Sequence, residues 1–247
     1  MHAGTRSTPS RSRWGDLWFP LLVAAAGIAV YANSLSGVFL LDDLRAIVEN
    51  AHIRSLWPPG EVFKAPPQST VSGRPLVSLS LALSFALSGT APWGYHAVNI
   101  LIHLGAGLLL YGILRRTLRL PRRRDGEAPV ADRASGAPAR GRDAGPADRL
   151  AAAAALLWVV HPLQTQSVTY LVQRAESLMG LFYLLTLYCF IRGYTSSRPG
   201  RWWIVAIFSC AAAMATKEVA VTAPLIVGLY DRTFLSGSWR RTWRERG

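Results

Sequence analysis

Two adjacent carboxylates, Asp42 and Asp43, directly follow a long apolar stretch in the sequence VFLLDDLR. Ionisable groups at the end of a membrane-length apolar run are costly to place, so they are candidates for function. A carboxylate suits removal of a proton from an acceptor hydroxyl group. Two alternatives remain: one of the two carboxylates holds a divalent metal, or the pair is a helix N-cap and an interfacial charge. We predict Asp43 as the first candidate for a catalytic base and Asp42 as the second.

Further polar residues stand at the ends of other apolar segments. His96, Asn99 and His103 recur at helical spacing, which places them on one helix face. Arginine and lysine neutralise phosphate by charge and by forked hydrogen bonds. We therefore predict a site for a donor phosphate or substrate formed by Arg74, His96, His103, His161, Arg174, Lys217 and Glu218.

This set predicts transfer of a sugar from a lipid-linked phosphosugar. Cations would stabilise the lipid phosphate that leaves, and an aspartate would activate the acceptor. Each residue also has a structural alternative. His161 precedes a proline and can cap a helix, His103 can hydrogen-bond a neighbouring helix, and Lys217 with Glu218 can form a local ion pair. The convergence of all these residues at one membrane surface favours the functional interpretation.

The composition indicates a multi-pass membrane protein. The chain has 247 residues, of which 51% are hydrophobic, and a formal net charge of +13. Its arginines lie between long apolar runs, and this arrangement argues against a nucleic-acid-binding surface. Cys189 and Cys210 fall within apolar runs and are predicted to be buried small residues, not a disulfide or a metal site. We predict an all-α membrane bundle with the lipid bilayer as a partner, and no nucleic acid as one.

Charge distribution predicts the orientation. With six crossings, 21 of the 27 Lys and Arg residues fall on the side of the N-terminus, which predicts a cytoplasmic N-terminus. The predicted order is a basic tail, two spans separated by a large outer loop, a disordered Arg-rich cytoplasmic loop, four more crossings and a second basic tail. These segments are 1–16, 17–114 with the loop 36–96, 115–149, 150–230 and 231–247.

The excess of Lys and Arg on the cytoplasmic side also predicts how two ambiguous segments lie relative to the membrane. The segment 75–88 is predicted as a helix lying at the outer interface, although its alternation also fits a strand. Within it, leucines form one helical stripe and serines another. The region 202–230 is predicted as two short crossings that meet near Lys217, because one long helix would bury two charges in the bilayer.

Four motifs resemble the membrane portion of the transmembrane and tetratricopeptide-repeat-containing family, which is related to the protein O-mannosyltransferases. They are YANSLSGVFLLDD, RPLVSLSLALSFALSGTAPWGYHAVNILIHL, HPLQTQSVTYLVQRAESLMGLFYLL and ATKEVAVTAPLIVGLYD. The resemblance implies the fold of the membrane-embedded C-type glycosyltransferases, a polyprenyl- or dolichyl-phosphate sugar donor, and an inverting transfer of mannose or another hexose to a protein or glycan hydroxyl. It also implies an active site on the outer face, with the base in the pair Asp42–Asp43.

The chain departs from the family pattern in two respects. A glutamate is expected at the position of Gln166, so a possible second carboxylate is missing. Family members continue with more spans and a tandem helical repeat, and no 34-residue repeat is visible here, so a fragment is expected. Two other functions stay open: a transporter or flippase, and a non-catalytic membrane partner. The Ala- and Arg-rich composition favours a bacterial inner membrane, and the endoplasmic reticulum membrane would be the eukaryotic counterpart.

Overall fold

The computed structural model describes residues 13–120 and 144–240, and this part of the chain is helical, with no strand. The helices are α1 (Arg13–Tyr31), α2 (Pro59–Val62), α3 (Pro75–Ser88), α4 (Pro92–Arg119), α5 (Ala144–Val159), α6 (Thr165–Thr169), α7 (Arg174–Thr195), α8 (Pro199–Met214) and α9 (Ala223–Tyr230). The predicted all-α class is therefore confirmed. The predicted N-terminal tail 1–16 lies largely outside the described residues, which begin at 13. The first ten residues of the predicted C-terminal tail 231–247 are described, and they include a helical turn at Asp231–Ser236.

Among the described residues, three helical segments are long and apolar enough to cross a membrane. They are Leu17–Ser36, Pro92–Arg119 and Leu171–Thr195, with mean hydropathies of 1.5, 1.9 and 1.3. A span needs about 20 apolar residues, and all three meet that length. The chain is thus a membrane protein with three candidate spans, while the total of six crossings stays a prediction.

The other bundle helices are shorter. Helices α5 and α8 have 16 residues each, and α9 has 8. The region 202–230 is not one helix. Helix α8 ends at Met214, the backbone at Lys217 is extended, and a 3-10 turn follows at Glu218–Thr222. The break therefore lies where the sequence predicts it.

Helices α4 and α7 run parallel. Near their first turns, the Arg174 guanidinium donates to the Tyr95 carbonyl oxygen at 2.8 Å. Near their last turns, Arg116 lies over the ring of Tyr188 at 5.4 Å. We call the end with Arg174 the site end and the end with Arg116 the opposite end. Because the starts and the ends of the two helices meet, residues far apart in sequence gather at each end.

Ion pairs join α4 to α5 at the opposite end. Arg115 and Arg119 contact the two carboxylate oxygens of Asp148 at 3.1 and 2.6 Å. The predicted disordered segment 115–149 therefore overlaps two helices: its first residues extend α4 and its last residues begin α5. Cations in the last turn of α4 also favour its continuation through the helix dipole. The middle of that segment, 121–143, lies outside the described residues.

The predicted outer loop 36–96 is folded. Its apolar side chains form one buried cluster with the start of α7, and the members of that cluster include Ile47, Ile53, Val71, Val77, Leu81, Tyr95 and Leu171. Helix α3 forms as a helix and not as a strand. It turns Val77, Leu81 and Ser84 inward, while Leu83 and Leu87 are exposed. The apolar cluster thus fixes this segment against the bundle at the site end.

Candidate functional site

Asp43 is held in a buried position between the outer loop and the start of α7. Its side chain is 1% exposed. One carboxylate oxygen accepts the Leu40 backbone N–H at 3.0 Å and the other accepts the Val172 backbone N–H at 2.9 Å. The contact with Val172 crosses 129 positions of sequence. Asp43 therefore ties the two segments together as well as bringing a carboxylate to the site end.

Burial raises the pKa of the Asp43 carboxyl above its usual value, while the two backbone hydrogen bonds oppose this shift. Desolvation disfavours the charged form of any carboxylic acid. The residue two positions earlier, Leu41, has a φ of 47°, in the left-handed region that side chains rarely adopt. Backbone strain of this kind clusters at functional sites, and here it lies in the turn that presents the aspartate pair.

Asp42 is oriented differently. It is exposed, and its backbone N–H donates to the Tyr170 hydroxyl at 3.2 Å. The two neighbouring aspartates therefore differ in orientation, because Asp43 points into the structure and Asp42 faces solvent. Tyr170 is not among the site residues predicted from the sequence, although it lies within the motif HPLQTQSVTYLVQRAESLMGLFYLL.

Arg174 is fully buried, with 0% exposure. Its guanidinium donates to Asn99 Oδ1 at 2.6 Å, to Ser84 Oγ at 2.9 Å, and to the carbonyl oxygens of Ser80 and Tyr95, both at 2.8 Å. These partners lie on α3 and α4, so one side chain joins three helices. A direct contact between Arg174 and a donor phosphate stays a prediction, since the contacts of this guanidinium go to the protein itself.

The three residues predicted on one face of α4 all face the interior. His96, Asn99 and His103 are each at most 2% exposed. His103 Nε2 lies 2.9 Å from the Val159 carbonyl oxygen, and its ring stacks on Trp158 with centroids 5.0 Å apart. This contact matches the structural alternative for His103, a hydrogen bond to a neighbouring helix.

His96 is buried without a hydrogen-bond partner among the described residues at either ring nitrogen. It lies against Gly37, where an added Cβ would stand 2.7 Å from His96 Nε2 and 2.9 Å from the Ser34 carbonyl oxygen. Buried polar groups without partners are rare in folded proteins. His96 is thus a polar group at the site end that the fold leaves available, and its role in substrate binding stays a prediction.

The remaining predicted residues lie nearer the surface. The exposed His161 accepts the Leu163 backbone N–H at 3.2 Å through Nδ1, a capping contact. Arg74 is half-buried and donates to the Thr70 carbonyl oxygen at 2.9 Å. Neither residue forms an ion pair in the described part of the chain, so both can still meet a ligand.

Lys217 pairs with Glu176 on α7, not with its neighbour Glu218. The side chains of Lys217 and Glu176 are 22% and 39% exposed, and Glu218 is exposed. Because Lys217 has extended backbone, successive side chains point in opposite directions. The local Lys217–Glu218 ion pair considered above is therefore not formed.

No metal-binding group of three or more His, Cys, Asp or Glu side chains occurs within residues 13–120 and 144–240. The carboxylate of Asp43 is engaged by backbone N–H groups, and that of Asp42 faces solvent. Cys189 is buried and Cys210 is partly buried, and both are free thiols. The site end therefore offers carboxylates, cations and an unpaired imidazole.

Comparison with known proteins gives the same relation as the motifs. A family model described as "Dolichyl-phosphate-mannose-protein mannosyltransferase" matches residues 147–247. "Protein O-mannosyl-transferase TMTC4" of Homo sapiens is 30% identical over 236 residues, covering 87% of this chain and 29% of that protein. "Protein O-mannosyl-transferase Tmtc3" of Drosophila melanogaster is 32% identical over 242 residues, covering 92% and 25%.

"Protein O-mannosyl-transferase TMTC2" of Homo sapiens is 30% identical over 224 residues, covering 85% of this chain and 23% of that protein. The chain thus spans less than a third of the length of these curated relatives. No solved structure matches it. The match over most of the chain confirms the resemblance seen in the four motifs: the protein is related, through its membrane part, to the transmembrane and tetratricopeptide-repeat-containing protein O-mannosyltransferases.

Proposed function

We propose that this chain is the membrane part of a glycosyltransferase that moves mannose or another hexose from a polyprenyl- or dolichyl-phosphate donor to a protein or glycan hydroxyl. The observation that supports this best is the turn with Asp42 and Asp43, which is held at the end of the bundle where cations also gather. The names of the relatives support the same class of reaction.

In the proposed reaction the acceptor oxygen attacks the anomeric carbon and its proton passes to a carboxylate. The bond between that carbon and the donor phosphate oxygen breaks, and the lipid phosphate leaves with the electron pair. Attack from the face opposite the phosphate inverts the anomeric configuration. The reaction therefore needs a reachable carboxylate on one side of the sugar and cations on the other.

The two aspartates suit different parts of this task. Asp42 is exposed and can meet an acceptor hydroxyl directly. Asp43 holds Leu40 and Val172 and so positions the turn, although its raised pKa also suits a base. Accessibility thus favours Asp42 as the contacting base and Asp43 as its positioning residue, reversing the order predicted from sequence.

The cationic side chains at the site end also differ in their exposure to solvent. Arg74 and Lys217 are partly exposed and are the better candidates for the donor phosphate, whereas Arg174 organises the site from beneath. His96 is the candidate for an additional polar contact. We place this end on the outer face of the membrane, because Arg115, Arg119 and Arg192 lie at the opposite end and arginine is enriched on the cytoplasmic side.

A non-catalytic membrane partner is the second candidate. Gln166 is exposed at a position where the resemblance leads us to expect a glutamate. If that carboxylate is required, the chain would bind the lipid donor without transferring the sugar.

The decisive experiment compares sugar transfer by wild-type protein with Asp42→Asn and Asp43→Asn, using a polyprenyl-phosphate mannose donor in detergent. Glu49→Gln is the matched control, because Glu49 is an exposed carboxylate in the same loop. We expect Asp42→Asn to lose at least about 100-fold in rate with donor binding retained, and Glu49→Gln to match wild type. Unchanged transfer by Asp42→Asn and Asp43→Asn would reject the site. Donor binding without transfer by wild-type protein would favour the non-catalytic partner.

A further inference from the structure

A second group of cations lies at the opposite end of the bundle, far from the aspartate pair. Arg116 on α4 lies over the ring of Tyr188 at 5.4 Å, and Arg192 on α7 lies over the ring of Trp202 at 4.5 Å. The rings of Tyr188 and Trp202 meet edge to face, with centroids 6.5 Å apart. Two cations and two rings thus form one continuous cluster across α4, α7 and α8.

Neither cation of this cluster has a carboxylate partner in the described ranges of the chain. Arg119, one turn from Arg116, shows the contrast, because it forms a close ion pair with Asp148. Within the described residues, Arg116 donates a hydrogen bond to the Tyr188 hydroxyl at the long distance of 3.5 Å. The Nε atoms of Arg116 and Arg192, like that of Arg119, are enclosed and have no acceptor within the described residues. Uncompensated charge in a partly buried place is unfavourable, and an anion would relieve it.

The location and the ring contacts indicate the kind of anion. Arg116 and Arg192 stand in the last turns of two candidate spans, the depth at which lipid headgroups lie. Basic pockets between helices at this level bind anionic headgroups, and aromatic residues prefer the same interface. The ring contacts restrict both guanidinium groups, and guanidinium N–H groups donate the forked hydrogen bonds that phosphate accepts.

We infer that the cluster of Arg116, Tyr188, Trp202 and Arg192 binds the phosphate headgroup of an anionic membrane phospholipid. The site lies at the end of the bundle opposite the aspartate turn. It therefore does not depend on the proposed sugar transfer, and the two proposals can fail separately.

The test reconstitutes the full chain in nanodiscs of phosphatidylcholine with and without phosphatidylglycerol, and measures bound phosphatidylglycerol by native mass spectrometry. The variant is Arg116→Gln with Arg192→Gln. The control is Arg198→Gln with Arg201→Gln, which removes two exposed arginines from the same end. Each cation near an anionic lipid surface is worth about fivefold in affinity, and the variant and the control lose this general attraction alike. Because the variant also removes the forked hydrogen bonds to the phosphate, it should bind at least about tenfold more weakly than the control.

Equal losses in the variant and the control would overturn the site, because they would indicate attraction by total charge alone. Inorganic phosphate that competes fully with phosphatidylglycerol would overturn the assignment to a lipid. If the double variant does not purify in a folded state, Arg192→Gln decides against the single control Arg198→Gln. The site then requires Arg192→Gln to bind phosphatidylglycerol more weakly than that control, and equal losses would overturn it.

Discussion

The substitution Arg174→Lys tests whether Arg174 organises the site end or binds the donor directly. Lysine keeps the charge but has one nitrogen with three donors in place of the planar fork. The guanidinium donates at 2.6 to 2.9 Å to groups of Asn99, Ser80, Ser84 and Tyr95. These four hydrogen bonds come from three different guanidinium nitrogens. A single ammonium nitrogen takes the place of one of them, so we expect at least two hydrogen bonds to be lost.

The expected cost follows from these contacts. A hydrogen bond to a charged group contributes about 1.5–3 kcal/mol, so two lost bonds amount to roughly 3–6 kcal/mol. Because Arg174 is fully buried, solvent does not screen this loss. For a chain of this length each kcal/mol shifts the melting temperature by about 2–4 °C, so we expect a decrease on the order of 10 °C.

The assay is thermal unfolding of purified protein in detergent, with Arg74→Lys as the control. Arg74 is half-buried and donates one hydrogen bond, to the Thr70 carbonyl, so its variant should melt within about 2 °C of wild type. If Arg174 bound the donor phosphate instead, Arg174→Lys would raise the KM for the donor and leave the melting temperature near that of wild type. A melting temperature within about 2 °C of wild type would refute the organising role.

Two further predictions concern the same end of the bundle. Gly37→Ala should lower the free energy of unfolding by about 1–3 kcal/mol through overpacking, because the added Cβ would stand 2.7 Å from His96 Nε2. A double-mutant cycle with His96→Ala should show coupling between the two changes in melting temperature. Strictly additive losses would contradict the contact. Since burial raises the pKa of Asp43, folding disfavours its charged form. Its contribution to stability is complete below the unfolded pKa and is lost as the pH rises through the folded value. The melting temperature of wild type relative to Asp43→Asn should therefore fall over that window, and a difference independent of pH would be the contrary result.

The sequence predicted the features that depend on helical periodicity. His96, Asn99 and His103 share a buried face because the 3.6-residue repeat fixes their direction regardless of what packs against them. The break near Lys217 was predicted from the cost of burying Lys217 and Glu218 at the bilayer centre, which their positions within the apolar run indicate. The stripes of leucine and serine favoured a helix over 75–88, but the alternation of this segment also fitted a strand, and the structure decides for the helix.

The contacts of Arg174 could not be predicted in this way. Its partners Ser80 and Ser84 lie at least 90 positions away in sequence, and only the packing of α3 against α7 brings them together. Glu176 was likewise a less obvious partner for Lys217 than Glu218, because the extended backbone at Lys217 was not visible in the sequence. The sequence of the segment before α3 has no simple hydrophobic period. Its fold depends on the apolar cluster that it forms with α7.

The polar residues at the site end therefore form two groups with different consequences for function. Asp43, Arg174 and His103 have their polar atoms engaged by the protein, and each joins segments far apart in sequence. A substitution in this group changes the geometry of the whole end, so loss of activity alone would not identify a catalytic residue. Asp42 and Arg74 keep accessible polar groups, and their substitution would leave that geometry in place. Because only the second group can change the chemistry without changing the fold, sugar transfer should be tested there first, with Asp42 as the most direct candidate.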